Sequence, residues 1–395
     1  MRNRLTPSPA TYLLLGLALL LSACACNGFF ENVADKVENI IVRRTPREAF
    51  AHDYFQELPA GDSLVAAWDS AFVRTLQDTL VVDLPHRELV RRVDDLEFTA
   101  LSYRFYLPPG RLLTISTEAA SGVGPVFGEL FAVDGDNSID PDDALLRWEP
   151  GAAGGIYETA ARSGQELLLV VQSAPSDTGA YALELRTDPA LLFPVAGHSA
   201  RHIQSFWGDS RSGGARQHQG NDIFAPRGTP LVAVSDGIVR STKVGGLGGK
   251  TVWLRDGEGR GLTYYYAHLD SQLVRPGQIV TRGDTLGLVG NTGNARTTPP
   301  HLHFGIYRNG ARDPYSYLLG PDGVPADLRY SLAPTELPDS VPERGRHYLR
   351  RSPASQRTVV VRELANEEPV TVLSATDRFY RIRTERGETG YANFD

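Results

Sequence analysis

The sequence contains very little cysteine and no concentrated positive charge. Only Cys24 and Cys26 occur in 395 residues. A chain with no further cysteine is stabilised by hydrophobic cores and not by a disulfide framework. Lysine and arginine total 40 against 47 aspartates and glutamates, the net charge is −7, and no basic block is present. We therefore expect no nucleic-acid partner.

The apolar run near the start of the sequence is short for a bilayer-spanning helix. The apolar run at residues 12–23 follows Arg2 and Arg4 and has the length of a signal-peptide core. The stretch "LSAC" ending at Cys24 resembles the lipobox of bacterial lipoproteins, which implies cleavage before Cys24 and lipid on that cysteine. Ala25 in place of an aspartate suggests an outer membrane, facing the periplasm. The alternative is an ordinary secretory signal with a coincidental cysteine.

What the chain does contain is glycine-rich, strand-forming sequence, enough for several domains. We predict a mainly β, multidomain protein with a β-sandwich, a compact antiparallel β domain and a small C-terminal barrel. In the N-terminal segment, Thr45 as N-cap and Glu48 form a capping box with Pro46 at the first helical position, which predicts a helix start. The predicted boundaries are a signal peptide at 1–23, a tether and helical segment at 24–94, the sandwich at 95–190, the antiparallel domain at 194–318, a proline-rich linker at 319–344 and the barrel at 345–395.

Two of these β regions resemble accessory domains of secreted bacterial enzymes. The closing "GAYALEL" at residues 179–185 resembles the last strand of pre-peptidase C-terminal sandwiches. The pair Gly390-Tyr391 before a final strand resembles bacterial Src-homology-3-like domains, which implies binding to wall peptides. Within the sandwich, residues 134–143 gather five aspartates but depart from the EF-hand pattern. A solvated acidic loop is therefore favoured over a calcium site.

Four of the nine histidines fall in three short motifs of the antiparallel domain. "HQGND" contains His218 and Asp222, "YAHL" contains His268, and "HLHF" contains His301 and His303. In a strand, side chains alternate between faces, so His301 and His303 share one face and Leu302 and Phe304 the other. The same alternation groups His268 with Leu262, Tyr264 and Tyr266.

Imidazole and carboxylate together are ligands that suit zinc. A catalytic zinc site uses three protein ligands and a water, and the bound water loses its proton near neutral pH. Any histidines that do not bind the metal are available for proton transfer. The spacing alone does not assign which histidines bind zinc.

The three motifs, in this order and with "GDTLGLVGNTG" before the last, resemble the zinc metalloendopeptidases of the lysostaphin and LytM type, which hydrolyse peptidoglycan. The resemblance implies one zinc per chain on His218, Asp222 and His303, with His268 and His301 as the catalytic pair. One departure is the segment "NARTTPP" at 294–300, which is longer than usual and has Pro299 where the family has glycine. Because this loop is expected to rim the groove, the change concerns substrate preference.

The sequence therefore predicts a lipid-anchored endopeptidase of the cell envelope that cuts peptide cross-links of peptidoglycan. The D-alanyl–diaminopimelate bond is favoured over glycyl bridges. Two alternatives remain: a regulator of other wall hydrolases that has lost catalysis, and a wall-binding scaffold. The oligomeric state is not predicted.

Overall fold

The fold is described from a computed structural model, which covers residues 44–56, 58–59, 61–91, 100–119, 125–148, 154–159, 163–174, 179–320 and 339–394. The predicted signal peptide, Cys24 and most of the proline-rich linker lie outside these residues. Within them, no helix is both long and apolar enough to cross a bilayer.

The N-terminal part consists of two helices and a β-sandwich. The helices and strands are α1 (Pro46–Phe55), α2 (Gly61–Thr75), β1 (His86–Arg91), β2 (Ala100–Leu107), β3 (Arg111–Ala119), β4 (Val126–Ala132), β5 (Ala144–Trp148), β6 (Gly154–Glu158), β7 (Gln165–Ser173) and β8 (Ala180–Pro189). Helix α1 begins at the predicted capping box, in which Thr45 and Glu48 each accept a hydrogen bond from the other's backbone N–H. Both helices pack on Phe127 of the sandwich, α1 through Phe50 and α2 through Trp68.

The second part is the predicted antiparallel domain. Its strands are β9 (Ile203–Ser205), β10 (Ser210–Arg211), β11 (Arg216–Gln217), β12 (Asn221–Phe224), β13 (Pro230–Val232), β14 (Gly237–Val244), β15 (Lys250–Asp256), β16 (Thr263–Leu269), β17 (Ser271–Gln272), β18 (Ile279–Val280), β19 (Thr285–Leu288), β20 (His301–Tyr307) and β21 (Ala311–Arg312), followed by helix α3 (Tyr315–Leu318). The main sheet has the order β18-β14-β15-β16-β20-β12-β9, with β21 beside β20. Strands β13, β19 and β17 form a second sheet.

The C-terminal part continues the sandwich and does not stand alone. Its strands are β22 (Tyr348–Arg350), β23 (Val360–Glu363), β24 (Val370–Thr376), β25 (Phe379–Thr384) and β26 (Thr389–Ala392). The mainly β, antiparallel prediction is confirmed. The predicted barrel is corrected, because the described strands form no closed barrel: β1 pairs with both β8 and β24 and joins them in one nine-stranded sheet, β23-β22-β26-β25-β24-β1-β8-β3-β6.

The antiparallel domain is attached to the sandwich by polar contacts. The Arg111 guanidinium donates to the carbonyls of Leu319 and Gly320 at 2.9 and 3.1 Å. On another side, the Arg260 Nε donates to Glu158 of β6 at 2.8 Å. Because chain connections and side chains both cross this junction, the antiparallel domain has a defined position on the sandwich.

We expect Glu88→Ala to destabilise the joined sheet strongly. Glu88 on β1 is fully buried, and its carboxylate bonds His86 at 2.7 Å and accepts from Tyr391 at 3.1 Å and from Ser374. Removing one partner of such a buried network costs about 3–5 kcal/mol of unfolding free energy. Denaturant unfolding measures the change. Glu184→Ala on neighbouring β8, where the carboxylate is partly exposed, is the control, and an equal effect of both variants would contradict the prediction.

Candidate metal centre and groove

The three predicted metal ligands meet because of one strand pairing and one loop. Strands β12 and β20 are antiparallel, and their register places Asp222 opposite His303. His218 lies on the loop before β12, and its backbone N–H donates to the Asp209 carbonyl at 2.8 Å. The side chains therefore converge from two neighbouring strands and the adjoining loop.

The converging atoms form a nearly equilateral triangle. His218 Nε2 lies 2.9 Å from His303 Nδ1, and each of these nitrogens lies 3.0 Å from Asp222 Oδ1. Among the residues that the structure describes, this is the one group with metal-site geometry. These distances support the prediction that the side chains of His218, Asp222 and His303 come together.

The donor set fits zinc. Two imidazole nitrogens and one carboxylate oxygen are typical zinc ligands, and zinc bonds of about 2.0–2.1 Å separate tetrahedral ligand atoms by about 3.3 Å. The Nδ1–H of His218 donates to the Phe206 carbonyl at 2.8 Å, which leaves the Nε2 lone pair directed at the triangle. Acceptor atoms this close together repel one another unless a cation or proton lies between them.

Burial and close contacts shift the pKa values of Asp222 and His303. Burial alone would raise the pKa of Asp222, but the close contacts with His218 and His303 outweigh it and hold the pKa far below its usual value. Burial lowers the pKa of His303, and this outweighs the opposing effect of Asp222. An ionised carboxylate beside neutral imidazoles is the state in which all three bind a metal.

His268 lies in the same groove, a position that strand alternation did not predict. Tyr264 and Tyr266 on β16 are fully buried in the core, so strict alternation would send His268 there too. Instead, Lys250 of β15 pairs with Leu269 and Val252 pairs with Tyr266. Strand β16 therefore has one extra residue between these two pairs, which is a β-bulge. His268 has a φ of +67°.

The bulge turns His268 towards the other histidines. Its ring centroid lies 5.0 Å from that of His301 and 6.0 Å from that of His303. β-Bulges commonly re-aim a side chain beside an active site. The alternation that grouped His268 with the tyrosines is therefore wrong, although the side chain does join the predicted constellation.

The two histidines outside the triangle are held in matching tautomers. The Nδ1–H of His268 donates to the Thr292 carbonyl at 2.9 Å, and that of His301 donates to the Pro299 carbonyl at 2.9 Å. In each neutral ring, Nε2 is then the nitrogen that can accept a proton. Burial and the neighbouring His301 lower the pKa of His268 to about 4, so this ring is neutral at neutral pH.

An open groove of about 750 Å³ runs over these side chains. Asn294, Ala295 and Thr298 line it, so the long segment at 294–300 rims the groove as predicted. His301 also stacks on Phe224 of β12, with ring centroids 5.0 Å apart. The groove is open to an extended chain. The side chains of His218, Asp222, His268, His301 and His303 lie together along it.

Arg211 is a site residue that the sequence analysis missed. Its guanidinium donates to Asp222 Oδ2 at 2.7 Å and to Ser205 Oγ at 2.5 Å. Ser205 in turn donates to Asp209 at 2.8 Å. Asp222 Oδ1 therefore belongs to the triangle, while Oδ2 accepts the hydrogen bond from Arg211. No spacing rule in the sequence links Arg211 to Asp222, because the contact depends on the β10–β11 hairpin folding back over β12.

We expect Arg211→Ala to weaken zinc binding by about 10- to 100-fold, the usual effect of removing a residue that orients a metal ligand. The cause would be loss of the hydrogen bond that orients Asp222. Competition with a fluorescent chelator measures the affinity. Arg227→Ala is the control, since Arg227 forms an ion pair of similar length with exposed Asp270, at 2.6 Å. Unchanged zinc affinity in Arg211→Ala would rule out this orienting role.

The acidic segment at 134–143 is an exposed loop. All five of its aspartates are exposed, and carboxylates of Asp136 and Asp140 accept hydrogen bonds from the backbone N–H groups of Ser138 and Asp142. These contacts shape turns within the loop. The lipidation prediction at Cys24 lies outside the described residues.

The chain is similar to known peptidases over part of its length. The model described as Peptidase family M23 matches residues 216–314. The L-Ala–D-Glu endopeptidase of Bacillus subtilis is 37% identical over 140 residues, which are 32% of this chain and 42% of that protein. The peptidoglycan DD-endopeptidase ShyC of Vibrio cholerae is 39% identical over 101 residues, 25% of this chain and 22% of that protein.

A solved structure matches in the same way. The catalytic domain of the antimicrobial peptidase lysostaphin from Staphylococcus simulans is 30% identical, and the match covers 29% of this chain and 91% of that one, with a TM-score of 0.26. The chain spans less than half the length of the two curated relatives named above.

Proposed function

We propose that the chain, whose residues 216–314 match the model described as Peptidase family M23, is a zinc-dependent endopeptidase that hydrolyses peptide cross-links of bacterial peptidoglycan. The observation that carries this proposal is the triangle of His218, Asp222 and His303 beneath an open groove, with two further imidazoles beside it. Zinc on these three residues would lower the pKa of its bound water and polarise the scissile carbonyl.

His268 and His301 act on the reacting groups from one side of the groove. Their Nε2 atoms are free of the carbonyl contacts that hold Nδ1. Either nitrogen can accept a proton from the attacking water and return it to the leaving amine, and a protonated ring can donate to the developing oxyanion. Because both rings are buried and held by backbone carbonyls, little reorganisation is needed during the reaction.

The direct D-alanyl–diaminopimelate cross-link is the favoured bond. A curated relative that is named a peptidoglycan DD-endopeptidase supports this choice. Another relative is named for the L-Ala–D-Glu bond, so that bond in the stem peptide is the main competing substrate. The groove's rim at 294–300 is where a difference in bond preference would arise.

Mass spectrometry of purified peptidoglycan tests the proposal directly. Sacculi are incubated with the zinc-loaded protein, and the soluble muropeptides are compared with those from an untreated sample. New monomers at the expense of cross-linked dimers are expected, and their masses name the bond that was cut. Wall binding with no new products would instead support the regulator or scaffold.

We also propose that Cys24 carries lipid and anchors the protein to the outer membrane, facing the periplasm. The lipobox-like "LSAC" and Ala25 support this placement. Substituting Cys24→Ser should release the protein from the membrane fraction, and labelling with a fatty-acid analogue should disappear at the same time. Retention of the label in Cys24→Ser would exclude this anchor.

A further inference from the structure

Three aromatic side chains form a cluster beside the metal centre. Trp253 on β15 is the cross-strand partner of Tyr265 on β16, with ring centroids 4.3 Å apart. Tyr307 on β20 lies 5.2 Å from Trp253 and 6.3 Å from Tyr265. We call Trp253, Tyr265 and Tyr307 the aromatic shelf.

The aromatic shelf is continuous with the catalytic groove. The Tyr265 ring meets His303 edge-on, with centroids 5.8 Å apart. Tyr265 and Tyr307 line the groove together with the metal-binding residues. A ligand held on the shelf would therefore extend directly from a peptide bound at the zinc.

The aromatic shelf is not part of the hydrophobic core. On the opposite face of the same strands, Val252, Tyr264 and Phe304 are fully buried in the core. The three shelf rings are only half-buried. Burying aromatic surface is favourable, so rings left partly open on a sheet face provide contact area for a ligand.

The shelf also offers hydrogen-bond donors. Within the described residues, the Trp253 indole N–H and the Tyr307 hydroxyl have no hydrogen-bond acceptor. A tyrosine hydroxyl ordinarily has a pKa of about 10, and burial raises the pKa of Tyr307 further. The hydroxyls are therefore protonated at neutral pH, and each can donate.

These properties match a sugar ring better than an acidic peptide. A pyranose has an apolar C–H face that packs on an aromatic ring and an equatorial rim of hydroxyl and acetamido groups that pairs with polar tips. The shelf side chains carry no charge. Arg211 and Arg216, in contrast, line the groove near the zinc ligands, where they complement the carboxylates of a stem peptide.

We propose that the aromatic shelf binds one neutral pyranose ring of the peptidoglycan glycan strand and so positions the attached peptide in the groove. This inference rests on the proposed function, because it supplies the substrate's second recognition element. It implies that the protein distinguishes sugar-bearing cross-links from bare peptides of the same sequence.

The kinetic test compares two purified substrates: a cross-linked dimer that carries its sugars, and the same dimer after an amidase has removed them. Trp253→Ala should raise KM for the first substrate about tenfold, which corresponds to ~1.4 kcal/mol, and leave kcat unchanged. KM for the bare peptide should not change. Trp253→Tyr, which keeps an aromatic face, should restore most of the affinity.

The control is Arg255→Ala, because Arg255 is exposed and lies two residues along β15 on the same face as Trp253. It should leave KM for both substrates unchanged. If the wild type uses both substrates with equal KM and Trp253→Ala changes neither, the shelf proposal is wrong while the proposed function stands.

A binding measurement separates the shelf from catalysis. Calorimetric titration of the purified protein with the neutral trisaccharide of N-acetylglucosamine should give a signal that Trp253→Ala removes and Trp253→Tyr keeps. Such binding without peptide cleavage would support the shelf and overturn the proposed function. A trisaccharide signal that survives in Trp253→Ala would place the sugar elsewhere and overturn the shelf.

Discussion

Asp222→Ala is expected to lose the bound zinc and to reduce peptidoglycan cleavage by at least about 10³-fold. The substitution removes the one carboxylate ligand from the triangle and leaves two imidazole nitrogens 2.9 Å apart. Two protein ligands do not hold a catalytic zinc firmly. Zinc content by plasma mass spectrometry and release of muropeptide monomers measure the two effects.

The fold of Asp222→Ala should remain largely intact. Arg211 loses its carboxylate partner, but its side chain is 33% exposed and can be solvated. Thermal unfolding of the metal-free proteins should therefore be similar for the variant and the wild type. Asp270→Ala removes an exposed carboxylate of the same domain and should retain both zinc and turnover. Normal turnover in Asp222→Ala would refute the metal assignment.

His268→Ala and His301→Ala are expected to keep zinc and to lose about 10²- to 10⁴-fold in kcat, the usual contribution of a general acid–base group. Neither ring belongs to the triangle, yet both stand beside it with Nε2 free to exchange a proton. In these variants turnover should therefore fall while zinc affinity is unchanged. In Asp222→Ala both should fall.

The control for the histidine variants is His202→Ala. His202 does not line the groove, and its Nδ1 contacts the Ser199 backbone at the surface. It should match the wild type in both zinc affinity and kcat. Loss of zinc from His268→Ala would show that this ring is a ligand, and full activity in both His268→Ala and His301→Ala would exclude the pair from proton transfer.

Local sequence rules predicted the strand of "HLHF" correctly. Leu302, Phe304 and Ile306 are fully buried, while His301 and His303 lie on the groove face. This succeeds because a regular strand has a side-chain period of two. The rule failed at His268, where a bulge inserts one residue and reverses the facing. A bulge depends on the register with the partner strand, which no short window of sequence specifies.

Contacts between distant segments also escaped prediction. Strand β1 at His86–Arg91 lies in the segment expected to be a tether, yet it joins the sandwich to the C-terminal strands. The fully buried Glu88, which Tyr391 contacts across 303 residues, stabilises that junction. A short charged strand such as "HRELVR" suggests surface sequence until its position between β8 and β24 in one sheet is known.

The residue types in "HQGND", "YAHL" and "HLHF" were sufficient to predict a metal site, because such a site requires particular ligand side chains and these are visible in the chain. The mainly β class followed from strand-forming runs and turn residues. The folded chain was needed to place Arg211 behind Asp222, His268 on its bulge, and Trp253 beside the groove. Each of these depends on strand register and on long-range packing, which are properties of the assembled sheets and not of neighbouring residues.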